Sequence, residues 1–168
     1  MDPTIRKARP KDRDELLRMR LALQRHDEAS NPRIWHATEE GKQLMGATVD
    51  EMLSDDDGLA LVAEDDGEPV GFAWGHATHR TDYTPRTVGF IRLIYLKEGH
   101  RRQGTGTRMV RELCKYFKAE GMEEVNLNYI LGNTEGEGFW TGLGFRPVRV
   151  SANTTLEALE KRIETKAV

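Results

Sequence analysis

Val88–Leu96 (VGFIRLIYL), Lys97–Thr107 (KEGHRRQGTGT) and Arg108–Gly121 (RMVRELCKYFKAEG) form one continuous stretch in which the residue pattern changes twice. The first part is a short, strongly apolar run of strand length. The second is basic and rich in glycine. In the third, Met109, Leu113 and Phe117 recur every four residues with Val110 and Cys114 beside them, and Gly121 stands where a helix should stop. Strand, turn and helix therefore follow one another, and Val125 to Ile130 reads as the next strand. A strand–helix–strand unit implies parallel pairing of the two strands. Cys114 reads as a small core hydrophobe within the helix.

Upstream, Leu59–Ala63 is a second apolar run that stops at Asp65-Asp66-Gly67, a hairpin signal. The strand after it alternates sharply. Val70, Phe72, Trp74 and His76 fall on one face, while Gly71, Ala73, Gly75 and Ala77 leave the other free for a closely packed helix. Residues 4 to 9 suit a first strand, and Asp12 with Glu15 makes a capping-box-like start to a helix that fades near His26. Residues 27 to 45 read as irregular, with at most a short helix, and Thr48 with Glu51 signals a short helix before Asp55-Asp56-Asp57-Gly58. After the second strand of the parallel pair, the pattern predicts a helix over 135–143, a strand over 145–152 and a final helix from Thr154 to about Thr165. That last helix either covers the sheet or mediates a homodimer.

The 168 residues suffice for one sizeable core, so a single domain over 1–168 is expected. With charged residues at 32% and hydrophobic ones at 38%, the composition is that of a water-soluble globular protein. No apolar run approaches the ~20 residues of a membrane span, and the amino-terminal residues lack the pattern of a secretory signal. Cytoplasmic location is the expectation. A net charge of −3 provides no overall attraction to nucleic acid. The single cysteine excludes an intramolecular disulfide, and the scattered histidines form no metal constellation, so no metal is expected.

The turn between strand and helix carries the chemistry. Arg101-x-x-Gly104-x-Gly106 places two residues without side chains where the helix begins. Unpaired amides at a helix start, reinforced by the helix dipole, attract an anion, and Arg101 or Arg102 adds charge-assisted hydrogen bonds. A diphosphate fits. The P-loop pattern fails because Thr105-Gly106 stands where Lys-Ser/Thr is required, and the dinucleotide fingerprint fails at Met109. Taken alone, the glycines serve equally well to shape a tight turn.

Leu96 to Gly106 resembles motif A of the GNAT (GCN5-related N-acetyltransferase) superfamily, Arg/Gln-x-x-Gly-x-Gly/Ala, with a match at Arg101, Gly104 and Gly106. Asn133 to Phe145 (NTEGEGFWTGLGF) is similar to its motif B. The resemblance spans roughly residues 59 to 147. It implies an α+β fold of three layers, with a mixed, mostly antiparallel sheet in which one parallel pair splays apart to admit the arm of acetyl-CoA. By the same resemblance, main-chain groups around Ile94, Tyr95 and Leu96 pair with that arm. Residues Arg101, Arg102, Gln103, Gly104, Thr105, Gly106 and Thr107 wrap the pyrophosphate, and Asn133 touches the cofactor. The reaction implied is direct acetyl transfer to an amine in a ternary complex: a small amine, an amino acid, an aminoglycoside-like compound or a protein amino group. A lysine-like amine with a pKa of ~10.4 is only about one part in a thousand neutral near pH 7.4, so a base or water relay must offset roughly 4 kcal/mol.

Two positions depart from the family pattern. Trp140 stands where many relatives have a tyrosine acid, which suits it to packing against the cofactor sulfur and the sheet, and Phe90 stands where some have a glutamate base. Tyr129 is a substitute acid or a packed tyrosine. His76, His79, Asp82 and Tyr83 are candidates to border the acceptor side and supply a base. His26, Asp27, Glu28, Trp35 and His36 suit a cationic amine or form an exposed charged loop. Arg92, inside an apolar strand, meets an acidic substrate group or an ion-pair partner at the surface. The departures leave open a second reading, an acyl-CoA-binding module without catalysis.

Overall fold

The computed structural model describes residues 2–31, 33 and 36–166. Strands β1 (Thr4–Lys7), β2 (Gly58–Asp65), β3 (Glu68–His79), β4 (Thr87–Leu96) and β5 (Val125–Leu127) stand side by side in chain order. The first four run antiparallel and β5 runs parallel to β4, so the sheet is mixed, as the strand–helix–strand pattern requires. Helices α1 (Arg13–Ser30) and α2 (Glu39–Ser54) cover one face, and α3 (Thr105–Ala119) with α4 (Thr134–Gly142) covers the other. A further helix, α5 (Leu156–Lys166), ends the described chain.

Alternation along the strands sorts two cores. Ala60, Val62, Phe72 and Trp74 pack on Leu16 and Met19 of α1 and Val49 and Met52 of α2. Leu61, Ala63, Ala73 and Ile91 pack on Met109, Leu113 and Phe117 of α3. The small face of β3 does receive a close helix. A Cβ built on Gly75 would lie 2.7 Å from Cζ of Phe117, and one on Gly89 of β4 would lie 2.7 Å from Cγ of the same ring. Phe117 thus rests on a floor without side chains, a fit that only glycine permits at those two positions.

Several expectations are corrected. Val70 joins the α3 core and not the face of Phe72, because a β-bulge between β2 and β3 leaves Val70 unpaired and shifts the alternation there. Asp12 stands at the start of α1, but its side chain bonds none of that helix's amides and instead closes the preceding short turn. It is buried, receives two bonds from Arg6 at 2.8 and 2.9 Å and accepts the Arg9 N–H at 2.8 Å, while Glu15 pairs with Lys97 and Arg18. Helix α1 continues past His26 to Ser30, held by Gln24–Glu28 and by the Ser30 hydroxyl on the His26 carbonyl. Helix α2 begins at Glu39 and not at Thr48, since Thr38 caps it by accepting the Gly41 N–H at 3.0 Å. Thr48 sits mid-helix with its hydroxyl on the Leu44 carbonyl. Cys114 is exposed, one residue off the buried stripe of α3. The segment 145–152 forms no strand, and Val148 is 95% exposed. A period-two pattern forms a strand only where a sheet edge pairs with it, and β5 is three residues long. Among the described residues no helix is long and apolar enough to cross a membrane.

Candidate functional site

β4 has two differently partnered halves. Gly89, Phe90 and Ile91 lie between β3 and β5, paired with Val125, Asn126 and Leu127 on the β5 side. Past Ile91 that pairing ends, and among the described residues Ile94, Tyr95 and Leu96 keep β3 as their only strand neighbour. A bulge at Trp74/Gly75 marks the change, with Arg92 as the extra residue on β4. Backbone groups on the open side of this half face a cleft of about 590 Å³, within the usual range for a small-molecule site.

At the end of β4 the chain turns through Glu98–His100, Arg102 at φ 60 and Gly104 at φ 82 before α3 starts at Thr105. A left-handed Gly104 costs little, whereas a left-handed arginine is strained and persists only where its surroundings hold it. The first main-chain bond of α3 runs from Arg108 N–H to the Gly104 carbonyl at 3.0 Å. The amides of Gly104, Thr105, Gly106 and Thr107 therefore lack intrahelical acceptors. Gly106 sits close to the cleft wall: a Cβ there would be 3.3 Å from Phe139 and 3.5 Å from Leu96.

The two arginines are held beside these amides. Arg101 donates through Nε to the Leu96 carbonyl at 2.9 Å, lies 5.7 Å from the Tyr95 ring centroid and bonds Glu135 through Nη1 at 2.7 Å. Arg102 bonds the other oxygen of Glu135, also at 2.7 Å. Both guanidiniums, Arg102 foremost, hold the Glu135 carboxyl below the usual glutamate range. Asn133 caps α4 by accepting the Gly136 N–H at 2.9 Å, and its Oδ1 lies 3.4 Å from His26 Nε2 on α1. One carboxamide so ties two walls of the cleft together.

Of the residues expected around a cofactor, the cleft is lined by Ile94, Tyr95, Leu96, Arg101, Arg102, Gly104, Gly106, Thr107 and Asn133. Thr105 is buried behind the turn, and exposed Gln103 bonds the Gly99 carbonyl. Trp140 is 5% exposed and belongs to the α3 core, its ring edge-on to Phe139 and Phe145. Leu23, Glu135 and Phe139 line the cleft without having been singled out. Phe139 lay inside the quoted motif, whereas Leu23 carried no signal beyond an apolar helix position.

The remaining candidates scatter. The Tyr129 hydroxyl is buried without a hydrogen-bond partner among the described residues. His76, on β3, lies between the rings of Trp74, which it meets edge-on, and Phe90, with Nδ1 3.9 Å from Asp55, and burial lowers its pKa. His79 is exposed with Nδ1 3.0 Å from the Thr87 hydroxyl, and Tyr83 is 64% exposed. Glu28 is occupied structurally, accepting from the Ala37 N–H, Gln24 and His36, and these bonds pull its pKa to about 2. His36 is exposed beside it, and Trp35 lies outside the described residues. Arg92 meets Glu51 at 3.3 Å and lies over the Trp74 ring at 4.8 Å. Among the described residues no group of His, Cys, Asp and Glu is placed to hold a metal ion.

A ligand that suits this site has an anionic, diphosphate-like end for the amides and arginines and an extended, amide-bearing arm for the open half of β4. Coenzyme A has both. Residues 19–145 match the model of the acetyltransferase (GNAT) family. An uncharacterised N-acetyltransferase of Methanocaldococcus jannaschii is 30% identical over 99 residues, which are 59% of this chain and 43% of that protein, so the match spans under half of the relative. Among solved structures, a predicted acetyltransferase of Clostridium acetobutylicum with acetyl-CoA superposes at a TM-score of 0.72, with 17% identity over 92% of this chain and 97% of the other. An aminoglycoside 6'-N-acetyltransferase of Acinetobacter haemolyticus gives 0.70, with 18% identity over 90% and 97%. At such identities the likeness concerns the fold. The family match, over most of the chain and both sides of the cleft, joins the geometry in one conclusion: the chain belongs to the acetyltransferase (GNAT) family.

Proposed function

We propose that the protein transfers the acetyl group of acetyl-CoA to an amine, directly and within a ternary complex, in the cytoplasm. The observation that carries this reading is the pairing of unsatisfied helix-start amides and two arginines with the half of β4 that has no strand on its β5 side. The amides of Gly104 to Thr107 and the guanidiniums of Arg101 and Arg102 hold the diphosphate, after Glu135 releases them. Main-chain groups of Ile94 to Leu96 orient the arm, Asn133 contacts it from α4, and Phe139 excludes water from the wall. Bound there, acetyl-CoA supplies an activated acyl thioester. Trp140 supports this wall from beneath and donates no proton. The buried, unpartnered hydroxyl of Tyr129 supports its assignment as the proton donor to the leaving thiolate. His76, whose pKa burial lowers, is the better candidate of the two histidines for accepting the amine proton, while His79 already faces Thr87.

The relatives that act on aminoglycosides favour a small-molecule acceptor over a protein one. A second reading, a coenzyme A-binding module without turnover, is favoured by Trp140 and Phe90 at the positions of the family's usual acid and base. Calorimetric titration with coenzyme A followed by thiol release with a panel of amines separates the two. Binding with amine-stimulated release is expected, binding without it supports the module, and no binding overturns both.

A further inference from the structure

Leu23 and His26 of α1 and Ile94 and Tyr95 of β4 line the cofactor cleft, and the same two elements carry three charges that acetyl-CoA binding leaves unused. Arg20 and Asp27 are seven residues apart on α1, hence two turns apart on one face, with about 10 Å of helix between them. Arg92 enters from β4 as the extra residue of the bulge, with its guanidinium over Trp74 at 4.8 Å on the side that α1 and α2 cover. The Nε of Arg20 is buried without an acceptor among the described residues. Arg20 and Asp27 influence each other through space, and among the described residues no hydrogen bond stabilises either charge; burial lowers the pKa of the one and raises that of the other. Arg92 uses part of its five-donor fork on Glu51 at 3.3 Å. Other acidic groups of this face are engaged: Asp55 accepts from Trp74 Nε1 at 2.8 Å and from the Asp57 N–H at 3.1 Å, and lies near His76.

Half-buried charges without partners cost free energy that a ligand of matching charge returns. We propose that Arg20 and Arg92 on one side and Asp27 on the other form an acceptor subsite for a zwitterion, a primary amine of amino-acid or dipeptide size that also bears a carboxylate. Its carboxylate faces the guanidiniums and its ammonium faces Asp27, next to the cleft. A polycationic amine would set further positive charge against Arg20 and Arg92, which already repel each other. This assignment rests on the acetyl-transfer reading and narrows its acceptor.

The test compares 5-aminopentanoate with its amide, and both with a polyamine, by thiol release from acetyl-CoA, alongside calorimetric affinity for coenzyme A. The native protein is expected to favour the free carboxylate about tenfold or more in kcat/KM, the size of one charge-assisted hydrogen bond. Arg92→Ala should bring that ratio close to one by raising KM for the acid alone, with Arg92→Lys keeping part of it and coenzyme A affinity unchanged in both. Arg20→Gln should act in the same direction, and the half-exposed Arg92 carries the test if the Arg20 variant does not fold. Asp27→Asn should raise KM for acid and amide alike. A ratio that Arg92→Ala leaves intact, or a polyamine turned over better than the acid, overturns the subsite while acetyl transfer stands. Coenzyme A binding with no amine turned over removes both.

Discussion

The two halves of β4 share one strand and meet opposite fates. Gly89 to Ile91 is flanked by strands on both sides and pressed by the Phe117 ring, so its backbone bonds and its packing are complete within the chain. Among the described residues, Ile94 to Leu96 has a strand on one side only, and what stands across from it is a cleft with cationic side chains at its mouth. The first half is where tight packing supports the fold. The second leaves peptide groups that water satisfies poorly in a narrow cleft and that an amide-bearing ligand satisfies well.

If that contrast holds, damage to the first half should appear in stability and damage to the second in ligand affinity. The largest effect is expected from Phe117→Ala, which empties the space over two glycines and should cost about 3–5 kcal/mol in urea unfolding. Gly89→Ala should cost about 1–3 kcal/mol alone, because the new methyl meets the ring, and distinctly less in the Phe117→Ala background. Additive costs in that double-mutant cycle would break the account of the glycine floor.

In the second half, Arg101→Ala should weaken coenzyme A binding by roughly 10- to 100-fold, the loss of a charge-assisted contact, with the unfolding midpoint shifted little. Gly106→Val, which crowds Phe139 and Leu96, should lower the same affinity by a comparable factor. Equal losses of stability and affinity in these variants would erase the distinction between the halves.

The smallest effect sharpens the comparison. Glu135→Gln frees Arg101 and Arg102 and should raise coenzyme A affinity by about two- to fivefold, the scale of an exposed ion pair. The arginines hold the Glu135 carboxyl below its ordinary range, so it stays ionised and competes at neutral pH. The gap between native protein and variant is therefore full above that lowered pKa and closes as pH falls through it. Calorimetry of both proteins across the acid range checks the sign.

Much of the site was legible before any coordinates, because its signals are local. The period change from strand to helix, the Asp-Asp-Gly hairpin and the alternating small face of β3 each depend on neighbours a few residues away. What escaped the sequence depended on distant partners. Asp12 looked like a cap and instead serves Arg6, which also bonds Glu64 from another strand. Val70 changed sides because of a bulge set by β2, and Cys114 missed the buried stripe by a single helical step. The alternating residues 145–152 could not become a strand without an edge to join.

The sequence alone therefore determined the helix-start anion site and the strand that leads into it, since glycines at fixed offsets and an apolar period act over a few residues. Only the tertiary structure decided that β5 stops pairing at Ile91, that Glu135 spans both arginines and that Arg20, Asp27 and Arg92 share one side of the sheet. Apart from Arg20 and Asp27 on their shared helix, those relations join residues roughly 30 to 70 positions apart, and no local pattern records a distance that arises only when separate elements pack.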